Sequence, residues 1–206
     1  MGISSVKTIQ NKAEYKYKEK GSVFISQCYP VSTSIEVENL LTGIRKKYYD
    51  ATHHCYAYKL SDGNIKYSDD GEPSGTAGIR IMNAIEHFGL TDILVVVIRY
   101  FGGTKLGVGP LGKAYYTSAF EVLANVKIIE KKLYKKIRID YDYEQTNKIH
   151  YLLSKYSATD ISNGFDGRPF ITCLIEKDKS GNFAKALLEN TAGKIGIDIE
   201  EEDYLK

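Results

Sequence analysis

The chain has 206 residues, 43% of them apolar, and its 28 basic and 26 acidic side chains leave a formal net charge of +2. That length fits one large or two small domains, and so even a balance excludes an indiscriminate nucleic-acid coat while leaving a local basic face open. The longest apolar run, Ile93 to Ile98, falls far short of the roughly 18 residues of a membrane span, so no membrane association is expected.

The opening MGISSVKTIQNK has no apolar h-region, so no export signal is expected. Cys28, Cys55 and Cys173 lie far apart without CxxC spacing, which argues against a disulfide frame or a zinc knuckle and for a reducing, cytoplasmic setting.

Residues 15–29 read as two short strands turning at Gly21-Ser22. Thr33 and Glu36 make a capping-box pattern ahead of a helix whose buried stripe is Val37, Leu40, Leu41, Ile44 and Tyr48. Arg45, Lys46 and Lys47 sit in its last turn, where cations suit the dipole. HCYAYKL and NIKYS flank Ser61-Asp62-Gly63 as a hairpin. Gly78, Ile81, Met82, Ile85 and Phe88 mark the apolar face of a second helix, and ILVVVI is a strand buried on both sides. A helix from about Gly112 to Asn125 closes a first domain, 1–126. In a second domain, 127–206, a strand at 133–141 leads to a helix carrying Ile149, Leu152, Leu153 and Tyr156. Strands near 158–163 and 169–176, a helix with Phe183, Leu187 and Leu188, and a last strand near Ile195 complete the order βαββαβ. The predicted class is α+β in two domains.

Two polar, glycine-rich loops bracket the second helix and the buried strand. The first holds Asp69, Asp70, Glu72, Ser74, Gly75 and Thr76; the second holds Arg99, Tyr100, Gly102, Gly103, Thr104, Lys105 and Gly107. Neighbouring elements tend to be adjacent in space, so the loops are expected to share one cleft. Gly107 to Lys113 fits GxxxxGK, but Ala114 follows where a phosphate loop needs a hydroxyl. Gly107, Gly109 and Gly112 also fit GxGxxG, yet Arg99 to Leu106 separate them from the strand end, where a dinucleotide fingerprint begins. Neither nucleotide motif is adopted. Ser74 or Thr76 is a candidate helix cap that would leave N–H groups for an anion. The three acids would repel that anion, unless they pair with Arg99, Lys105 or Arg80 or hold a divalent cation. His53 and His54 project to opposite faces of a strand and so do not share a metal. His54, with Tyr56 and Tyr58 on its face, is the candidate polar contact. Phe101 is expected in the core, and Tyr100 is a candidate stacking surface beside Arg99 and Lys105.

These segments resemble the Impact/YigZ family along nearly the whole chain. The likeness is carried by Gly78, Ile81, Met82, Ile85, Leu90, Val96, Val97, Arg99, Tyr100, Phe101, Gly102, Gly103, Leu106 and Gly107, and by ATHHCYAY and DDGEPSGTAG. Pro110, where many members have glycine, and Ile98 before Arg99, where threonine is frequent, depart from the pattern; Pro110 is expected to stiffen the loop. The resemblance implies an N-terminal domain like a small-subunit ribosomal protein and the fourth domain of elongation factor G. It also implies a ferredoxin-like C-terminal domain like the fifth domain of that factor. Eukaryotic relatives regulate translation initiation through a further N-terminal domain for which no counterpart is expected here, so that partner mechanism is not carried over.

The leading expectation is a regulator of translation that binds RNA or a ribosomal surface. Arg99 and Lys105 would reach phosphate, Gly102 and Gly103 would allow close approach, and Tyr100 and His54 would touch base or sugar. No cofactor or metal is expected. The rival expectation is a metal-assisted hydrolase or an enzyme of phosphorylated substrates built on Asp69, Asp70 and Glu72. A protein partner docking on the second domain's sheet is a third possibility.

Overall fold

A computed structural model describes residues 4–206; the reading of the leader rests partly on residues outside them. The strands and helices, in chain order, are β1 (Ser5–Ile9), β2 (Ala13–Glu19), β3 (Ser22–Pro30), α1 (Ser34–Lys47), β4 (His53–Lys59), β5 (Ile65–Ser68), α2 (Gly78–His87), β6 (Ile93–Tyr100), α3 (Val108–Ala124), β7 (Ile128–Asp140), α4 (Thr146–Lys155), β8 (Thr159–Phe165), β9 (Pro169–Glu176), α5 (Lys177–Asn190) and β10 (Gly196–Leu205). Two packed units emerge, Lys7–Glu130 and Lys131–Lys206, the latter joined by residues 4–6. The division lies a little beyond residue 126.

In the first unit five antiparallel strands run in the order β2-β3-β6-β4-β5. Strand β6 is buried from Ile93 through Arg99 because helices cover both faces. Leu94, Val96 and Ile98 pack with Val37, Leu41 and Ile44 of α1, and Val95 and Val97 pack with Ile81, Ile85, Leu111 and Tyr115 of α2 and α3. An unbroken apolar run follows from burial on both sides. Thr33 caps α1 by accepting from the Glu36 N–H at 3.2 Å. The Glu36 carboxylate reaches back to the Ser32 N–H at 2.6 Å instead of Thr33, so the capping box is displaced by one residue. Helix α3 starts at Val108, a full turn before the expected Gly112. Pro110 therefore lies in its first turn, where a missing N–H costs nothing, and it stiffens a helix start rather than a loop.

In the second unit the strands of β7-α4-β8-β9-α5-β10 form an antiparallel sheet in the spatial order β10-β7-β9-β8, with β1 also beside β7. Ile137, Ile139, Ile171, Cys173 and Ile175 alternate onto the face that meets Ile149, Leu152 and Leu153 of α4 and Phe183 and Leu187 of α5. Leu188, expected on that face, is exposed. It follows Leu187 by one position, about 100° around the helix. On the opposite sheet face the Arg138 guanidinium stacks on Phe170 at 3.8 Å.

Candidate functional site

The register of the first sheet brings its loops to one end. Val23 lies opposite Tyr100 and His53 opposite Arg99, so β6 finishes where β3 and β4 begin. The Thr52 N–H donates to the Arg99 carbonyl at 2.8 Å, and the Phe101 N–H donates to Thr52 Oγ1 at 3.1 Å. The β2–β3 turn joins them, since a Cβ on Gly102 would lie 1.9 Å from the Gly21 carbonyl carbon and 2.2 Å from the Ser22 nitrogen. Only glycine permits that approach.

At this end the two glycine-rich loops meet. Arg99 Nη1 donates to Glu72 Oε1 at 2.6 Å, and the Tyr115 hydroxyl donates to the same oxygen at 2.7 Å. Arg99 Nη2 and the Gly102 N–H both donate to Ser22 Oγ, at 3.3 and 3.2 Å. Arg99 is 5% exposed and Glu72 9%. Burial, and then Cys55 and Glu72, push the Tyr115 phenol far above its ordinary range, so it stays a donor. The Cys55 thiol lies 3.0 Å from the Asp69 carbonyl and 3.4 Å from Tyr115 Oη.

These contacts correct the expected role of Arg99. It is an internal brace, with Nη1 on Glu72, Nη2 on Ser22 and a buried Nε that has no partner among the described residues, not a surface phosphate contact. A buried arginine facing a buried carboxylate offsets its charge, and outward rotation would strand Glu72.

The acidic loop is likewise committed to holding structure. Asp69 Oδ1 accepts from the Ala77 and Gly78 N–H groups at 2.9 and 2.8 Å, and Oδ2 accepts from the Gly75 N–H at 2.9 Å. Burial opposes its ionisation, but these three donors outweigh it and hold the carboxyl below its ordinary value. Asp69 thus caps α2 from nine residues upstream of Gly78, and the expected caps do not: Ser74 is exposed, and the Thr76 hydroxyl donates to the Pro73 carbonyl at 2.6 Å. Asp69 therefore takes the Ala77 and Gly78 N–H groups that would otherwise face an anion at this helix start. Asp70 accepts the His54 N–H at 2.6 Å and pairs with Arg45 at 3.4 Å. Of the arrangements open to the acids, pairing and capping are the ones adopted. Among the described residues no group of three or more His, Cys, Asp or Glu side chains converges on a metal position.

His54 is 8% exposed, and its Nε2–H donates to the Tyr48 carbonyl at 3.0 Å; Tyr56, on the same face, is buried against α1. Both are core residues rather than cleft contacts. His53 lies on the loop side instead. Its Nδ1–H donates to the Asp70 carbonyl at 2.7 Å, which leaves Nε2 3.8 Å from Glu72 Oε2. Strand parity was the available signal, because His53 shares a face with Cys55 and Arg99. Ser22 and Tyr115 carried no local signal.

Past Arg99 the loop opens to solvent. Phe101 is 46% exposed, contrary to its expected place in the core, and its ring lies 5.6 Å from the Arg99 guanidinium. Gly103, Thr104, Lys105 and Gly107 are exposed, with Gly103 and Gly107 at φ of 84° and 83°. Lys105 and Lys20, on the neighbouring turn, are exposed and make no ion pair among the described residues. Tyr100 is half-buried, its hydroxyl donating to Asp50 at 2.8 Å.

Residues 20–123, the span that builds this end of the molecule, match the Impact N-terminal domain. The chain belongs to the IMPACT family. It is 34% identical over 99% of its length to the IMPACT family member YvyE of Bacillus subtilis, covering 95% of that protein. It is 27% identical to YigZ of Escherichia coli over 89% of this chain and 92% of the relative. The protein IMPACT of Oryctolagus cuniculus is 32% identical over 43% of this chain and 30% of its own length. A crystal structure described as that of a hypothetical protein superposes with a TM-score of 0.71, at 26% identity, covering 97% of this chain and all of that one. Among the described residues no helix is long and apolar enough to cross a membrane.

Proposed function

We propose that this member of the IMPACT family is a regulator of translation that binds RNA through the β6–α3 loop of its first unit. The observation that carries the reading is the pairing of an exposed ring, Phe101, with the Lys105 ammonium, which makes no ion pair among the described residues, across a glycine-rich bend, all anchored to the buried Glu72–Arg99 brace. A ring available to stack on a base and a cation available to phosphate are the two parts a strand-binding surface needs. The bend offers Gly103 without a side chain between them, so a backbone can come close. Fold analogy adds support of the associational kind. The first unit is read as the fold of a small-subunit ribosomal protein and of the fourth domain of elongation factor G. The β10-β7-β9-β8 order supports a ferredoxin-like reading of the second. The commitment of Asp69, Asp70 and Glu72 to internal partners makes the hydrolase reading the weaker one.

The test is fluorescence anisotropy with labelled RNA, together with co-sedimentation with ribosomes, across a salt series. Lys105→Gln is expected to weaken binding and to reduce the salt slope by about 0.7, the contribution of one phosphate on a single strand. Phe101→Ala is expected to cost about 1–3 kcal/mol of affinity with the slope unchanged. Wild-type affinity and slope in both variants would reject this surface as the contact.

A further inference from the structure

The groove between α2 and α3 is outside the loop just described but begins where that loop ends. It is an open groove of about 450 Å³ lined by Arg80, Asn83, Val108, Gly112, Lys113 and Tyr116, among others. Its two charged residues are both cations, and no carboxylate lines it. Lys113 and Asn83 are exposed and make no hydrogen bond or ion pair among the described residues. Arg80 uses Nε to donate to the Gly75 carbonyl at 3.2 Å, which holds the guanidinium in place while its terminal nitrogens make no hydrogen bond among the described residues. Gly112 forms the floor beneath it: a Cβ there would sit 3.3 Å from Arg80 Nε. Val108, 67% exposed, and the half-buried Tyr116 ring supply an apolar wall.

We infer that this groove receives one nucleotide unit of a single-stranded RNA, its phosphate between Arg80 and Lys113, as a continuation of the strand on the Phe101–Lys105 loop. The inference rests on the proposed RNA reading of that loop. Three observations select the occupant. The charge is complementary to phosphate and to nothing basic. The volume lies within the range of small-ligand sites and is large enough for a nucleotide. The groove is contiguous with the loop, because Val108 lies only three residues after Lys105. A ring and an amide beside paired cations are the groups that stack on and hydrogen-bond to an unpaired base.

The experiment titrates a labelled single-stranded RNA of about twelve nucleotides with the full chain at several salt concentrations. The variants are Arg80→Gln/Lys113→Gln, Lys113→Glu and Lys105→Gln. Lys113→Glu keeps the test valid should loss of the Arg80–Gly75 bond disturb folding. The double variant is expected to bind roughly tenfold or more weakly and to lower the salt slope by about 1.4, two phosphates at 0.7 each. Lys113→Glu is expected to account for half or more of the slope change. Wild-type affinity and slope in both groove variants, with Lys105→Gln impaired, would overturn the groove and leave the loop standing. If all three variants bind as wild type, the RNA reading itself fails. A free mononucleotide that binds as tightly as the strand would also overturn the inference, marking a small-ligand site instead.

Discussion

Glu72 is the side chain on which the loop end depends most. It holds a buried guanidinium and a buried phenol with one oxygen, and its loss leaves Arg99 charged and unanswered in the interior. Breaking a buried pair from one side costs about 3–5 kcal/mol. Glu72→Gln is therefore expected to lower the urea midpoint by that equivalent, and Glu72→Gln/Arg99→Met to recover part of it; full stability of the single variant would show that the brace is dispensable. Asp69 makes a second prediction, in pH. Its carboxyl is held below its ordinary value in the folded chain. Its stabilisation is thus fully present above the unfolded carboxyl's pKa and is lost as the pH falls through the lower folded value. Asp69→Ala is expected to cost about 1–3 kcal/mol at neutral pH, and to flatten the acid limb of a stability-against-pH curve. An acid limb of unchanged steepness would show that the three N–H contacts contribute nothing to it.

The two glycine-opened helices of the first unit separate what pattern reveals from what it hides. Both helices, the doubly buried strand and the α1 stripe were legible, because apolar spacing reports burial directly. The start of α3 was not. Glycine at 107, 109 and 112 reads as loop, yet Pro110 is most at home in a helix's first turn. The contrast is testable. Pro110→Ala is expected to change stability by less than about 0.5 kcal/mol. Gly78→Ala places a methyl 2.7 Å from the Ser68 nitrogen and is expected to cost 1–3 kcal/mol or more by overpacking. Chemical denaturation of the pair decides it, and equal effects would contradict the account. The candidate site was legible only as a neighbourhood. That the loops at 69–77 and 99–107 meet followed from chain order, but which charged groups stay wet did not. Arg99 and Lys105 look alike in sequence. They are separated by the Ser22 and Tyr115 contacts, which come from 77 residues before Arg99 and 43 residues after Glu72. Phe101 carries the same ambiguity: an aromatic beside a buried strand is apolar whether or not a neighbour covers it.

Across the molecule, each unit has its own apolar centre, one around β6 and one between the β7–β9 face and its two helices. Every cysteine lies in one of them: Cys28 and Cys55 in the first, Cys173 in the second. Burial pushes the thiols of Cys28 and Cys173 up to about 11 and about 12, and that of Cys55 higher still. Thiolate is the reactive species, so alkylating reagents meet almost none until the surrounding structure opens. Each unit therefore carries a built-in stopwatch for its own opening. Phe183→Ala, which empties the second core at a cost of about 3–5 kcal/mol, is expected to speed iodoacetamide capture of Cys173 roughly a hundredfold or more, read by peptide mass spectrometry. A capture rate unmoved by that cavity would mean the sulfur is reached by a route other than unfolding.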